Sequence, residues 1–316
     1  ASSSGKGNVC VCDVAARDGL QSEKRIWSVN ERVELINRLA NTGIQRIEAV
    51  SFVNPKRVPQ MADAEKVMAQ IERKADVRIA GLALNMKGVE RALDAGVDEV
   101  RYVVVASETF SQKNQGASIA ETMTGLESIA GRVKASGKVF SAVIGASFGC
   151  PFEGEVTTSA VVDIGIRLGA LGVDEILLAD TIGCAVPSQV RERVGALQLA
   201  LEDFTAVGCH FHNTRNTGIA NAVAAVESGV RILDASVGGI GGCPFAPRAT
   251  GNISTEDLVY VLRNMGYETG IDLPQLIDVA AWVEGYFDDP LPGQVMKAGL
   301  FPDDVIARQA ATSVQV

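Results

Sequence analysis

The only two histidines among 316 residues stand two apart, in His210-Phe211-His212, at the end of the apolar run Ala206-Val207-Gly208-Cys209. Side chains two apart on a strand leave the same face, so both imidazoles would aim at one spot. Neutral imidazole is the commonest nitrogen ligand for a divalent metal; the competing reading is a structural pair closing a strand. Further polar groups follow other apolar runs: Arg17-Asp18-Gly19-Leu20-Gln21, Glu48 with Ser51, Asp180-Thr181, and Gly238 through Phe245 followed by Asn252. One Asp, two His and one amide oxygen on a common centre would form a mixed nitrogen and oxygen set. Such a set suits a hard or borderline ion held octahedrally, with positions left for substrate and water. Mg²⁺ or Mn²⁺ fits it better than closed structural zinc, because the cysteines are not paired with the histidines in sequence.

These residues need a scaffold that brings distant segments together. Apolar runs at 9–16, 46–52, 77–84, 100–106, 139–146, 175–179, 206–212 and 232–237 read as strands. Amphipathic segments such as 30–42, 62–73, 118–136, 159–171, 188–201 and 217–228 lie between them as helices. Several of these units close on a glycine (Gly43, Gly96, Gly137, Gly172 and Gly229), the residue that accepts a left-handed C-cap. Eight strands alternating with helices, many apolar on both faces, predict an α/β fold of the closed (β/α)8 TIM-barrel type rather than a doubly wound open sheet. A further helix at 273–286 makes a short C-terminal extension. The expected organisation is one catalytic barrel domain over 1–286 and a C-terminal tail over 287–316. In such a barrel catalytic groups sit at the C-terminal ends of the strands, which is where the residues named above fall.

Composition removes several function classes. A formal charge of −9 disfavours nucleic acid or an anionic membrane as partner, since both need clustered cations. No apolar stretch approaches the roughly 20 residues that span a bilayer. The polar lead-in Ala1-Ser2-Ser3-Ser4-Gly5-Lys6-Gly7 has no apolar signal core, and a cytoplasmic protein with free thiols is expected. Cys10 and Cys12 alternate with valines, so at least one is expected to be a buried thiol.

Four segments resemble the 3-hydroxy-3-methylglutaryl-CoA lyase family, and the similarity runs from about residue 9 to about residue 273. They are Ala16-Arg17-Asp18-Gly19-Leu20-Gln21-Ser22-Glu23-Lys24, the eleven residues Ser51 to Met61, Gly149-Cys150-Pro151-Phe152-Glu153-Gly154, and Gly238 through Asn252. The resemblance implies Asp18, His210, His212 and Asn252 as metal ligands, Arg17 acting on the substrate carbonyl, and Cys243 as the mobile catalytic thiol. Glu48 and Asp180 would complete the inner polar set. From the residues themselves, Lys113-Asn114 after strand four would contact substrate or be solvated loop, Arg215 would face the pocket mouth or solvent, and Gln21 and Ser51 are further substrate-contact candidates. It further implies a homo-oligomer, a dimer, that cleaves an acyl-CoA to acetyl-CoA and acetoacetate, as in leucine degradation and ketone-body metabolism. Glu48 inside an apolar strand must be either an ion-pair partner, with Arg17 the obvious cation, or a site residue.

One stretch departs from the family. After the second histidine those lyases carry an aspartate, a threonine and an aromatic residue, whereas this chain reads Asn213-Thr214-Arg215. Asn at this place resembles the carboligase branch, the isopropylmalate and homocitrate synthases, which lack the Gly-Gly-Cys-Pro-Phe loop. The lyase direction is therefore favoured. Citramalyl-CoA or another branched 3-hydroxyacyl-CoA is the alternative substrate, and an acetyl-CoA carboligase the alternative activity.

Overall fold

The computed structural model describes residues 6–201, 205–242 and 251–302. Eight parallel strands, β1 (Cys10–Asp13), β2 (Arg46–Ser51), β3 (Arg78–Leu82), β4 (Glu99–Val105), β5 (Val139–Gly145), β6 (Glu175–Asp180), β7 (Ala206–Phe211) and β8 (Ile232–Ala235), pair in chain order. β1 closes the barrel on β8, with Cys10 beside Ile232 and Asp13 beside Ala235. All eight expected strands are present. The first stops three residues short of its expected end, because Ala15–Gly19 coil into a π-helical turn. Asp13 sets that stop: its carboxylate accepts the N–H of Ala15 at 2.8 Å and of Val237 at 2.9 Å, and the hydroxyl of Thr255 at 2.7 Å. The chain is thereby turned off the sheet at the seam where β1 meets β8.

Helices α1 (Val29–Ala40), α2 (Ala64–Gln70), α3 (Met86–Asp94), α4 (Glu108–Gln115), α5 (Ile119–Ala135), α6 (Thr158–Ala170), α7 (Pro187–Ala200), α8 (Gly218–Glu227), α9 (Thr255–Asn264), α10 (Leu273–Glu284) and α11 (Val295–Ala298) complete the described chain. α3, α4, α9 and α11 lie outside the helical segments given by range above, although Gly96 had marked the close of α3. Three of them carry a readable start signal, since Asn85, Ser107 and Ser254 each accept a backbone N–H of the first turn. Ser28 with Glu31 and Ser118 with Glu121 form reciprocal capping boxes on α1 and α5. The five glycines expected to close helices all take left-handed backbone angles, with φ between 70° and 93°.

The barrel interior is built partly from charge. Arg46, Glu99 and Glu175 come from β2, β4 and β6, and Glu48, Arg101 and Asp234 from β2, β4 and β8. Inward layers of a (β/α)8 barrel draw on alternate strands, and here even-numbered strands supply ions where branched aliphatics are usual. Arg46 Nη2 bridges Glu99 and Glu175, Arg78 reaches Glu175 at 3.1 Å, and the Ser141 hydroxyl donates to Glu99 at 2.5 Å.

Residues 288–302, expected as a tail, return to the barrel. Gly293 N–H donates to Gly238 O at 3.1 Å, and Asp257 accepts the N–H groups of Gln294 and Val295. Leu291 is buried against Gly238, where an added Cβ would lie 2.5 Å from its Cδ1. The segment therefore buttresses the turn after β8.

Removing one member of a buried ion pair strands the other, at about 3–5 kcal/mol. Arg46→Met should lower the free energy of denaturant unfolding by that amount; a midpoint equal to the wild type would show that the Arg46 layer does not stabilise the barrel.

Candidate active site

Asp18 lies on the turn after β1, His210 near the end of β7 and His212 one residue beyond it. Asn252 is brought alongside His212 by an isolated antiparallel bridge. Asp18, His210 and His212 form the group among the described residues that could hold a metal, their ligand atoms all within 4.8 Å of one another. The two Nε2 atoms face each other at 3.1 Å, and each lies 3.8 Å from Asp18 Oδ2. Gly19 and Gly241 permit the close packing here. A Cβ on Gly241 would lie 2.8 Å from the Gly19 Cα and 2.7 Å from the Asn252 amide nitrogen.

The charge state suits ligation. Burial first, and the neighbouring His210 second, push the His212 imidazole down to about 4, so it is neutral at neutral pH. Burial works against ionisation of Asp18, yet the cation of Arg17 and then the two histidines hold its carboxyl below the usual carboxylate range. His210 donates through Nδ1 to Asp234 Oδ2 at 3.0 Å; burial works against its protonation, but the Asp234 contact outweighs it and raises its pKa, and in the neutral ring this bond leaves the Nε2 lone pair for the cluster. Asn252 donates its amide to Asp18 Oδ2 at 2.8 Å and to Ile240 O at 3.1 Å, and its own Oδ1 is buried without a partner.

This donor set fits a divalent ion. Two adjacent ligands in an octahedral shell with bonds of about 2.1 Å lie about 3 Å apart, close to the separation of the two Nε2 atoms. Two imidazoles and a carboxylate are three members of the mixed set expected from the sequence; the fourth, Asn252, meets the cluster through its amide nitrogen on Asp18.

Arg17 adjoins the cluster. Its Nε pairs with Glu48 Oε1, and its Nη1 donates to Asp18 Oδ1 at 3.0 Å and to Gln21 Oε1 at 3.2 Å. Glu48, fully buried, is thus ion-paired, and its other oxygen accepts from Arg101 at 3.0 Å. Ser51 is buried with an unpartnered hydroxyl, three residues along a strand whose register shifts between Glu48 and Val50.

Other expected residues have different surroundings. Asp180 was expected to complete the inner polar set, but its oxygens accept the N–H groups of Cys184 at 2.9 Å and Ala185 at 3.0 Å. It shapes the turn after β6, and burial raises its pKa. Lys113 and Asn114, expected in a loop, lie exposed on α4, with the Lys113 ammonium 4.9 Å from the centre of the Phe152 ring. Arg215 ties two loops together, its Nη1 donating to Ile182 O at 3.1 Å and Gly183 O at 3.0 Å. Asn213 accepts the N–H of Gly218 at 3.0 Å and so caps α8. Cys243 lies outside the described residues. The five described cysteines are free, and Cys12 is fully buried as expected.

Sequence reasoning missed Arg101 and Asp234. The signal was present, because both interrupt apolar strands as Glu48 does.

The HMGL-like family profile matches residues 8–283. The chain is 44% identical to the (R)-citramalyl-CoA lyase of Chloroflexus aurantiacus over 92% of its own length and 95% of that protein. It is 38% identical to the hydroxymethylglutaryl-CoA lyase of Bacillus subtilis, covering 90% of this chain and 95% of that one. The fold superposes with a TM-score of 0.89 on a Bacillus subtilis HMG-CoA lyase crystal structure, at 37% identity over 92% of this chain and 97% of that chain. The same score is reached with an Acinetobacter baumannii HMG-CoA lyase in complex with coenzyme A and 3-methylmalate, at 38% identity over 94% and 96%. The chain belongs to the HMGL-like family and is one of its carbon–carbon lyases.

Proposed function

We propose that the protein cleaves 3-hydroxy-3-methylglutaryl-CoA to acetyl-CoA and acetoacetate with a divalent metal, Mg²⁺ or Mn²⁺. The carrying observation is the convergence of the two Nε2 atoms and the Asp18 carboxylate beside the Arg17 guanidinium, with the Asn252 amide bonded to Asp18. Asp18, His210, His212 and Asn252 would hold the ion. A bound divalent cation lowers the pKa of a coordinated alcohol and orients the oxygens of the substrate.

The remaining work falls to the chain. The tertiary hydroxyl gives its proton to solvent, from which the Cys243 thiol is later recharged; the C2–C3 bond breaks to leave a ketone, and the electron pair passes into a thioester enolate. Arg17, steadied by Glu48, offers a fixed cation to the enolate oxygen as its charge grows. The enolate carbon must then take a proton, and Cys243, after the glycine-rich turn, is the donor this reading assigns. The whole barrel with α10 acts as one catalytic unit, working on a soluble acyl-CoA in the cytoplasm. Among the described residues no helix is long and apolar enough to cross a membrane.

A second reading, cleavage of citramalyl-CoA to pyruvate and acetyl-CoA, is supported by the 44% identity to a citramalyl-CoA lyase. The two substrates share the tertiary 3-hydroxyl, the methyl and the free carboxylate, and differ by one methylene. A single methylene is worth roughly 10- to 200-fold in kcat/KM. Incubation with Mg²⁺ and each thioester, with products identified by mass, should show acetyl-CoA from both and a preference of that size for 3-hydroxy-3-methylglutaryl-CoA. A reversed ratio would move the assignment to citramalyl-CoA, and cleavage of neither would sink the lyase reading.

Asp18→Ala, His212→Ala and Asn252→Ala should each weaken Mn²⁺ binding at least tenfold by calorimetry and remove most activity. Unfolding midpoints should barely move, because the site sits on a preformed barrel. Wild-type Mn²⁺ affinity in all three would overturn the ligand set.

Cys243→Ser should leave Mn²⁺ and CoA-ester binding near wild type while turnover falls by orders of magnitude, since an alcohol is a far weaker acid than a thiol. Full activity in that variant would require another proton donor.

A further inference from the structure

Beneath the cluster, one guanidinium touches every support of the site. Arg101 on β4 is 1% exposed, and its Nη1 and Nη2 grip Asp234 in a fork at 2.8 and 3.0 Å. The same Nη1 donates to Glu48 Oε2 at 3.0 Å, and Nε reaches Glu99 Oε1 at 3.1 Å. Two chains of contacts rise from this point. One runs through Asp234 Oδ2 to His210 Nδ1, and the other through Glu48 to Arg17 and on to Asp18 Oδ1. Asp18 Oδ2 then lies 3.8 Å from His210 Nε2, which closes the chains into a ring.

We propose that Arg101 is a positioning residue for this site, holding His210 in its ligating tautomer through Asp234 and aiming the Arg17 cation through Glu48. The inference rests on the metal-dependent lyase reading above. Three features support it. Asp234 Oδ2 is shared between Arg101 and His210, so the fork that fixes the carboxylate plane also fixes the direction of the histidine hydrogen bond. A planar bidentate grip is a property of arginine that a lysine ammonium lacks. Without the Arg101 cation, Glu48 and Asp234 would be two fully buried carboxylates with Arg17 and His210 as their remaining partners. Both would then draw harder on the groups that should face the substrate.

The expected signature separates this role from mere support of the fold. Partners that orient a metal-bound histidine typically affect metal affinity or activity by 10- to 100-fold when lost. Arg101→Lys keeps the charge without the fork, and Arg101→Met removes both. Arg101→Lys should bind Mn²⁺ about tenfold more weakly than wild type, with a lower kcat and a nearly unchanged KM for the CoA ester. Arg101→Met, where it folds, should lose more on both counts. Arg46→Met serves as the control, because Arg46 pairs with Glu99 and Glu175 and touches neither Asp234 nor Glu48, the two carboxylates that lead to the cluster, although it shares Glu99 Oε1 with Arg101. It should lose stability while keeping wild-type Mn²⁺ affinity and kcat. Wild-type Mn²⁺ affinity and kcat in Arg101→Lys would overturn the proposal, as would equal losses in Arg101→Lys and Arg46→Met. Failure of the wild-type protein itself to bind Mn²⁺ would instead refute the metal-dependent reading on which the inference rests.

Discussion

A carboxylate inside a closed barrel survives only when a cation meets it, and the site above depends on how that requirement is satisfied. Glu48, Glu99, Asp234 and the guanidinium of Arg101 are almost wholly removed from water. Such charges stay ionised because each neighbour of opposite sign is close and directed, and loss of one member leaves an uncompensated ion. Burial alone would raise the pKa of Asp234, yet the Arg101 cation and the His210 contact drive it well below the carboxylate range. The interior pairing therefore delivers an ionised acceptor under His210 and a fixed, buried partner for Arg17.

The same requirement explains why the mouth of the barrel is tightly packed around small residues. Asp18 and Asn252 approach across the β1–β8 seam, where the backbone of Gly19 and Gly241 leaves no space for a side chain. Asp13 closes that seam from below, and the returning segment at 291–295 braces the turn after β8 from outside. Asp18, His210, His212 and Asn252, drawn from β1, β7 and the chain after β8, are held together by these three separate devices. A site built this way is preorganised, so the free energy of ion binding need not be used to fold the loops that supply it.

At the rim of strand seven, where the chain departs from the family pattern, Asn213 caps α8 and Arg215 braces the loop after β6. Both side chains are thus engaged in holding the local structure.

The order of strands and helices, the helix-closing glycines and the His210-Phe211-His212 pair were legible in the sequence because they are local. Periodicity, a cap residue or an i, i+2 spacing expresses itself within a few neighbours. Glu48 was legible as an anomaly, a charge in an apolar strand, and Arg101 and Asp234 carry the same mark. Which cation meets which anion was not legible, since Arg101 and Asp234 are 133 positions apart and meet only because β4 and β8 face one barrel interior. The fate of Asp180 was set locally, its oxygens taken by backbone N–H groups four and five residues ahead in the turn after β6. Tertiary structure ended β1 at Asp13, through contacts to Val237 and Thr255 more than 200 residues away. Local pattern determines the elements and flags the chemistry; closure of the barrel determines the partners, because only closure brings the ends of the chain within hydrogen-bonding distance.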